Sequence, residues 1–276
     1  MPRATANGIE LEYETFGDPQ AQPLLLIAGL GAQMLSWDEE FCRLLAGRGF
    51  YVIRFDNRDV GLSTWMGGGY TLDDMAADAV GLLDALSIRA AHIVGASMGG
   101  FIAQLVALNH PERALTLTSI MSGPNGDDQV QPTEEGRSVL FAPAPDNREG
   151  RIELGVWAKR KLVGPADPFD DDYERARIVR AVDRGSNPAG FVRQLQAIGV
   201  AEGRLERLAT LRVPTLVIHG DADILIPVEN GRLVAAAIPG ARLIEIDGMG
   251  HDLPRRIWSQ VADAIAELAR QATTAC

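Results

Sequence analysis

A serine stands between closely spaced glycines in the segment Gly95-Ala-Ser97-Met-Gly99. The apolar run at 91–94 before it has the length of a strand, and the residues after it have helical periodicity. A Gly-x-Ser-x-Gly turn between a buried strand and a helix is typical of a nucleophilic serine, because the sharp turn holds the hydroxyl clear of the sheet edge. Glycines at 95 and 99 avoid a collision across that turn. We therefore predict that Ser97 is a nucleophile for acyl transfer.

An acyl-transfer nucleophile needs hydrogen-bond donors for the negative oxygen that forms during attack. The amide of Met98 lies at the predicted helix N-terminus, where backbone N–H groups have no intrahelical acceptor. The strand that ends in Gly29-Leu30-Gly31 offers a second donor, since its two glycines let the Leu30 amide turn inward. We predict that the amides of Leu30 and Met98 form an oxyanion hole. The alternative for the Leu30 segment is a plain strand-to-helix turn.

The chain has four histidines, and the general base follows from them by elimination. His92 begins a predicted strand, His219 ends another, and His110 ends the helix that starts at the serine. His251 instead lies in a glycine-rich loop after the last strand, and this loop emerges at the same sheet edge as the serine. A flexible loop lets an imidazole reach the serine hydroxyl, so we predict that His251 is the general base.

A carboxylate must hold the tautomer of the base and stabilise the imidazolium. The loop after the strand at 215–219 contains two candidates, Asp221 and Asp223. Asp223 is deeper in the loop and close to the next helix, which suits an inward-facing group, whereas Asp221 is predicted to cap the turn. Asp252 adjoins His251 and cannot easily reach the ring of its own neighbour. We predict that Asp223 orients His251.

Short apolar runs alternate with segments of helical periodicity along most of the chain. Continuous apolar runs predict strands buried on both faces, and the alternation predicts an α/β protein with a parallel sheet between two layers of helices. The segment 9–16 alternates apolar and polar residues, and Asn7-Gly8 before it predicts an antiparallel hairpin. The predicted buried strands are 24–28, 51–55, 91–94, 115–121, 215–219 and 243–246, and the predicted helices are 41–46, 72–86, 98–108, 228–238 and 258–269.

The alternation stops between Pro124 and Arg207, where prolines are frequent and no buried strand is evident. Amphipathic segments at 151–163, 171–184 and 190–199 predict short helices, and regularly spaced aromatic residues argue against a disordered linker. We therefore predict one core in two parts, residues 1–123 and 208–276, interrupted by a helical insertion at 124–207.

Charge and composition exclude several classes of protein. The 276 residues include 26 Lys and Arg against 37 Asp and Glu, a formal net charge of −11, which disfavours nucleic-acid binding through a basic surface. No apolar run has membrane-spanning length, and Cys42 and Cys276 cannot make a disulfide framework. We predict a cytoplasmic protein with no membrane span. Neither His-x-x-x-His nor Cys-x-x-Cys occurs, so we expect no metal or organic cofactor.

Together these motifs resemble the α/β-hydrolase superfamily, in which nucleophile, acid and histidine follow in the order seen here for Ser97, Asp223 and His251. The segment Asp56-Asn-Arg-Asp-Val-Gly-Leu-Ser63 is similar to the Asp-x-Arg-Gly-x-Gly-x-Ser loop of the family, with Asp59 where glycine is usual. Ala28 stands where many members have histidine before the oxyanion glycine. The resemblance implies a mostly parallel eight-stranded sheet with helices on both faces and a helical cap insertion.

Within the superfamily, the motifs look most like aclacinomycin methylesterase and related carboxylesterases. The elbow, the loop after residue 55 and two further segments carry this likeness, Pro168-Phe-Asp-Asp-Asp-Tyr173 and Gly248-Met-Gly-His-Asp-Leu-Pro254. The predicted function is a serine carboxylesterase that acts through an acyl-enzyme on a small or medium uncharged ester. For each aromatic residue predicted to line its pocket, core packing is the equal alternative. The predicted pocket residues are Trp37, Trp65, Met66, Met121, Phe141, Trp157 and Leu253.

The same three side chains are compatible with other activities. Lactone hydrolysis and perhydrolysis of the cofactor-free haloperoxidase type need no further residue, and hydrolysis of a carbon–carbon bond in a dienol is a more distant possibility. A ligand-binding receptor built on a hydrolase frame is the non-enzymatic alternative, and a complete triad argues against it. The sequence makes no prediction about oligomeric state.

Overall fold

An eight-stranded sheet forms the centre of the computed structural model, which describes residues 2–274. The strands lie in the order β1-β2-β4-β3-β5-β6-β7-β8. β2 is antiparallel to β1 and to β4, and the other neighbouring pairs are parallel, which confirms the predicted fold class. The strands are β1 (Arg3–Ala6), β2 (Ile9–Phe16), β3 (Gln22–Ile27), β4 (Phe50–Phe55), β5 (Ala91–Ala96), β6 (Ala114–Ile120), β7 (Thr215–Gly220) and β8 (Arg242–Ile246).

The burial of the strands follows their residue patterns. β5 and β7 are buried along their whole length, as their continuous apolar runs predict, because helices cover both faces of the sheet there. The predicted hairpin joins β1 to β2 through Asn7 and Gly8, whose φ angles are 47° and 78°. A two-residue hairpin turn needs left-handed backbone at both positions, which asparagine and glycine tolerate best.

Five helices cover the two faces of the sheet. α1 (Glu39–Ala46) and α10 (Trp258–Thr274) pack on one face, and α2 (Leu72–Ala85), α3 (Met98–Asn109) and α9 (Val228–Ala237) pack on the other. Each coincides with a predicted helical segment, although α10 extends beyond its predicted end. α2 begins in a capping box, in which Thr71 and Asp74 exchange side-chain and backbone hydrogen bonds.

The chain between β6 and β7 folds into helices without a strand, and all of it belongs to the described part. We call residues 124–207 the cap. Its helices are α4 (Glu134–Leu140), α5 (Arg148–Leu162), α6 (Asp171–Arg184), α7 (Pro188–Val200) and α8 (Leu205–Leu208). α4 and α8 were not among the predicted segments. Four of these helices start at a polar residue whose side chain accepts an amide hydrogen from the first turn, which stabilises a helix start; these residues are Thr133, Asn147, Asp170 and Asn187.

In residues 2–274 no helix is both long enough and apolar enough to cross a membrane. Cys42 is buried in α1, where its thiol lies 3.7 Å from the carbonyl oxygen of Trp37. Burial raises the pKa of this thiol to about 12. Cys276 lies outside the described residues.

Candidate active site

The turn from β5 into α3 holds Ser97 in a strained backbone conformation, with φ 56° and ψ −123°. A Cβ atom at Gly95 would overlap the carbonyl group of Gly99, and one at Gly99 would overlap the carbonyl oxygen of Ile27 in β3. Ser97 is partly exposed although its neighbours on both sides are buried. The turn therefore needs its glycines, and it presents the serine hydroxyl at the carboxyl end of the sheet.

Three side chains from separate loops form a hydrogen-bonded row at this edge. Nε2 of His251 lies 2.9 Å from Oγ of Ser97, and Nδ1 of His251 lies 2.7 Å from Oδ2 of Asp223. The Asp223 side chain is fully buried and that of His251 is nearly so. The structure thus brings together the three residues that the sequence singled out as nucleophile, base and acid.

Groups other than His251 also hold the Asp223 carboxylate. Its Oδ1 accepts hydrogen bonds of 2.8 Å from the amides of Leu225 and Ile226, which anchor it to the end of its loop, just before α9. Burial alone would raise the pKa of Asp223, but electrostatic attraction to His251 and the hydrogen bonds from His219 and His251 outweigh burial and hold this pKa well below its usual range. Asp223 is therefore an anion fixed in place before any substrate binds.

His219, at the end of β7, contacts the same carboxylate. Its Nε2 lies 2.7 Å from the carbonyl oxygen of Ile226 and 3.4 Å from Oδ2 of Asp223. The carbonyl can only accept, so Nε2 carries the proton and is turned toward both oxygens. The sequence argument set His219 aside as a base, and the structure places it behind the acid.

The histidine loop, residues 247–254, is tied to the core and to the cap. Oδ1 of Asp221 accepts the Gly248 amide hydrogen at 2.7 Å, so Asp221 binds this loop as well as lying at the turn it was predicted to cap. On the other side, Asp252 forms an ion pair with Lys159 of α5. Burial by itself would raise the pKa of Asp252, but the charge and hydrogen bond of Lys159 outweigh burial and lower this pKa. Asp252 therefore binds a cap residue instead of His251.

The oxyanion loop, residues 28–31, lies against the nucleophile. A Cβ atom at Gly29 would lie 3.2 Å from Cβ of Ser97, which places the following amide of Leu30 beside the serine. Within residues 2–274 the Leu30 amide has no hydrogen-bond acceptor, and Met98 is the first residue of α3, where amides have no intrahelical acceptor. That these two amides form the oxyanion hole stays a prediction.

Ala28, the residue that departs from the family pattern, is held by a side chain from the loop after β4. Nδ2 of Asn57 donates a hydrogen bond of 3.1 Å to the Ala28 carbonyl oxygen, and Asn57 is buried. The oxyanion loop is therefore held at Ala28 by a hydrogen bond from the core, although alanine itself offers no side-chain donor or acceptor.

The other departure from the family pattern, Asp59, docks the cap. Its carboxylate receives two hydrogen bonds, of 2.7 and 2.8 Å, from the guanidinium of Arg193 in α7. Asp59 has a φ of 71°, the left-handed region that explains why glycine is usual there. Burial by itself would raise the pKa of Asp59, but the hydrogen bonds from Arg193 outweigh burial and lower this pKa. A second ion pair between the cap and this loop joins the guanidinium of Arg184 in α6 to the carboxylate of Asp56, at 2.5 Å.

The two remaining histidines lie away from the row. His92 is buried in β5, with Nδ1 2.9 Å from the hydroxyl oxygen of Thr116 and Nε2 3.2 Å from the side-chain oxygen of Gln22. Burial lowers the pKa of His92 to about 4. His110 is the C-cap of α3, at the opposite end of that helix from Ser97.

The residues predicted to line a pocket occupy three kinds of environment. Trp37 is buried in the core, stacked on Phe41 with ring centroids 6.0 Å apart, which matches the core-packing alternative. Met121 is buried at the end of β6, next to the residue whose hydroxyl bonds the Ser97 carbonyl, and Leu253 is half-buried two residues after the histidine. The other predicted pocket residues are half-buried or exposed, and they lie at the surface of the cap or of the loop after β4. These residues are Trp65, Met66, Phe141 and Trp157.

In residues 2–274 there is no group of three or more His, Cys, Asp or Glu side chains arranged to hold a metal ion. Three site residues were missed by the sequence argument: Asn57 and Gln194, which contact the oxyanion loop, and His219 in its contact with the acid. Gln194 left one signal, because it lies on the buried stripe of α7 between Gly190 and Ala197, where a polar residue is unexpected.

Comparisons with known proteins agree with this geometry. The family model described as alpha/beta hydrolase fold matches residues 22–254. The chain is 36% identical to rhodomycin D methylesterase DauP of Streptomyces sp. (strain C5) and 36% identical to rhodomycin D methylesterase DnrP of Streptomyces peucetius, with 98% of each chain aligned. Among solved structures it resembles the enol-lactonase of Burkholderia xenovorans LB400, with 26% identity, a TM-score of 0.76 and coverage of 99% and 100% of the two chains.

It also superimposes on the meta-cleavage product hydrolase CumD of Pseudomonas fluorescens IP01, with a TM-score of 0.82, 23% identity and coverage of 99% and 98%. At that identity the likeness shows the fold alone. The family model and the Streptomyces relatives span nearly the whole chain. The chain therefore belongs to the α/β-hydrolase family.

Proposed function

We propose that this protein is a serine hydrolase of carboxylic esters that works through an acyl-enzyme. The observation that carries the proposal is the row from Ser97 through His251 to Asp223, with contacts of 2.9 and 2.7 Å at a strained elbow. A serine hydroxyl this close to an imidazole that is itself held by a buried carboxylate is the arrangement that nucleophilic catalysis requires.

The geometry supports a two-step reaction. Nε2 of His251 takes the proton of the Ser97 hydroxyl as Oγ attacks the ester carbonyl, and the amides of Leu30 and Met98 donate to the oxygen that becomes negative. The imidazolium gives its proton to the departing alcohol, which leaves Ser97 acylated. Water deprotonated by the same imidazole then attacks the acyl group and releases the acid, and the proton returns to Oγ.

A methyl ester is the substrate class that the relatives favour. Both Streptomyces proteins are named as methylesterases of rhodomycin D, and they match this chain over 98% of its length, including the cap. In the proposed complex Met121 and Leu253 contact the substrate near the nucleophile, and Phe141 and Trp157 of the cap lie toward the solvent. Both latter side chains are exposed, at 64% and 37%, so they leave apolar surface for a bulky uncharged molecule.

The experiment is an activity profile over p-nitrophenyl esters of increasing chain length and over bulky polycyclic methyl esters. Ser97→Ala should lower kcat by about 10⁴- to 10⁶-fold and abolish covalent labelling by a fluorophosphonate. Ser138→Ala is a matched control, because this exposed serine of α4 donates its hydroxyl hydrogen to the carbonyl oxygen of Glu135 in its own helix. It should keep both the labelling and the turnover of the parent.

The same profile separates the competing reactions. It includes a lactone, a vinylogous diketone and bromide with peroxide at acidic pH. Greater kcat/KM on the lactone than on any methyl ester would replace the esterase assignment with a lactonase. Esterase activity that survives in Ser97→Ala would refute the acyl-enzyme mechanism altogether.

A further inference from the structure

A buried glutamine of the cap makes a hydrogen bond to the oxyanion loop. The Gly31 amide donates to Oε1 of Gln194 at 2.8 Å, and Nε2 of Gln194 donates to the Arg58 carbonyl oxygen at 2.9 Å. Gln194 is fully buried, although it lies on α7, 163 residues from Gly31 in the chain. Both ends of its amide group are therefore used in joining the cap to two loops of the core.

The bond acts on a flexible part of the loop. Gly29 and Gly31 flank Leu30, and Gly31 has a φ of 65°, so the backbone on both sides of Leu30 has little steric barrier to rotation. Rotation about ψ of Gly29 would turn the peptide that carries the Leu30 amide away from its position beside Ser97, and the same rotation would displace the Gly31 amide. A fixed acceptor for the Gly31 amide removes this freedom.

The loop is thus held at both ends, by Asn57 at the Ala28 carbonyl oxygen and by Gln194 at the Gly31 amide. The first side chain belongs to the core and the second to the cap. An amide that is already oriented when negative charge develops needs no reorganisation during the reaction, which is where most oxyanion stabilisation arises.

Docking of α7 does not itself require Gln194. The neighbouring Arg193 makes the two-point ion pair with Asp59, and Asn187 at the start of the helix donates to the Asp59 carbonyl oxygen at 3.1 Å. These contacts anchor the helix to the loop after β4. The Gln194 contact differs from them in reaching the loop that carries the Leu30 amide.

Building on the proposed esterase function, we propose that Gln194 is a positioning residue for the Leu30 donor, so that the cap supplies part of the oxyanion hole. Gln194 does not touch the substrate in this proposal. It acts through the Gly31 amide, and its effect falls on the tetrahedral intermediate and not on the bound ester.

The test compares Gln194→Met, which has similar length but no acceptor, with the parent enzyme. We expect kcat on a p-nitrophenyl ester to fall by about 10- to 100-fold, somewhat less than removal of an oxyanion donor itself. Affinity for an alkylboronic acid, which forms a tetrahedral adduct on Ser97, should weaken by the same factor. Affinity for the ether analogue of the substrate, which has no carbonyl group, should change by less than about twofold.

Two further variants keep the test decisive if Gln194→Met folds poorly. Gln194→Asn is too short to reach Gly31 and should show the same selective loss, whereas Gln194→Glu retains an acceptor and should keep more of kcat. Arg193→Met is the matched control on the same helix. It should lower the thermal stability of the protein but leave kcat and both inhibitor affinities within about threefold.

Unchanged kcat and boronic-acid affinity in Gln194→Met and Gln194→Asn would overturn the proposal. Equal weakening of the boronic acid and the ether analogue would also overturn it, since that result indicates a general packing role. These outcomes are distinct from failure of the esterase assignment, in which the parent enzyme would itself lack turnover and fluorophosphonate labelling.

Discussion

The helices that cover the sheet and the helices of the cap are stabilised in different ways. Ten of the twelve residues of α3 are buried against the sheet and α2, whereas α6, which is described in full, has no buried residue. α6 is joined to α5 by four ion pairs on the surface, Arg148–Asp183, Arg160–Asp171, Arg175–Glu149 and Arg175–Glu153. Apolar burial resists opening much more strongly than exposed ion pairs do.

This difference divides the active site. Ser97, Asp223 and the predicted base stand on loops that follow strands of the core, and of these only the histidine loop is also bonded to the cap through Lys159 and the Ala166 amide. The cap contributes Gln194 to the oxyanion loop and Lys159 to the histidine loop. The chemistry is therefore built on the rigid part of the molecule, and the cap adjusts it from the weaker part.

Substitution of the core acid should have the largest effect in this comparison. Asp223→Asn presents an amide to Nδ1 of His251 and favours the wrong tautomer, so we expect kcat to fall by about 10⁴-fold. Lys159→Met, on the cap side of the same histidine, should cost about tenfold, because it removes only the charge that pairs with Asp252. Steady-state kinetics on one p-nitrophenyl ester measures both.

Equal losses in the two variants would contradict the division of the site. So would a larger loss in Lys159→Met, since that would make the cap ion pair essential for placing His251. Circular dichroism and thermal unfolding of both variants provide the control, because the activity comparison requires that each has the secondary structure of the parent.

Much of the fold was predictable because its signals are local. The predicted bounds of β2 and α6 agree with the observed Ile9–Phe16 and Asp171–Arg184, since each has a clear period of two or of 3.6 residues. α4 was missed because its sequence, EEGRSVL, is mostly polar and surrounded by prolines. Its start was signalled only by Thr133, which caps the amide of Gly136.

The candidate site was predictable where a residue type and its place in a loop restrict the choice. The elbow glycines pointed to Ser97, and elimination among four histidines pointed to His251. Asn57 and Gln194 belong to no chemical motif, and their contacts join residues 29 and 163 positions apart. The first contact depends on how two loops of the core meet and the second on how the cap packs on the core, and no local pattern encodes either. Asp59 was visible as a departure, but its partner Arg193 was not.

The stability of the core should depend on pH through His92. Its pKa is lowered by burial to about 4, whereas an unfolded histidine titrates near 6.5. Between these values the unfolded chain binds more protons than the folded one, so the free energy of unfolding falls as the pH falls from 6.5 to 4. The full effect is about 3 kcal/mol. Urea unfolding at several pH values measures it, and His92→Gln should flatten this limb; an equally steep limb in that variant would assign the titration to other groups.

The opening of the cap should instead depend on salt, with the smallest effect of the series. The only two lysines of the chain, Lys159 and Lys161, lie in the last turn of α5, so an endoproteinase specific for lysine cleaves only there. Salt screens the exposed pairs between α5 and α6, so cleavage should be severalfold faster in about 0.5 M than in about 0.05 M sodium chloride. Arg175→Gln, which removes the pairs with Glu149 and Glu153, should raise the rate at low salt and reduce its salt dependence. An unstructured lysine peptide corrects for the effect of salt on the protease itself. Because the apolar core does not rely on these pairs, its thermal unfolding should change little over the same range.

A rate of cleavage in the cap that does not change with salt concentration would contradict this prediction. It would mean that apolar contacts hold the cap, and the contrast between the two regions would then rest on burial alone.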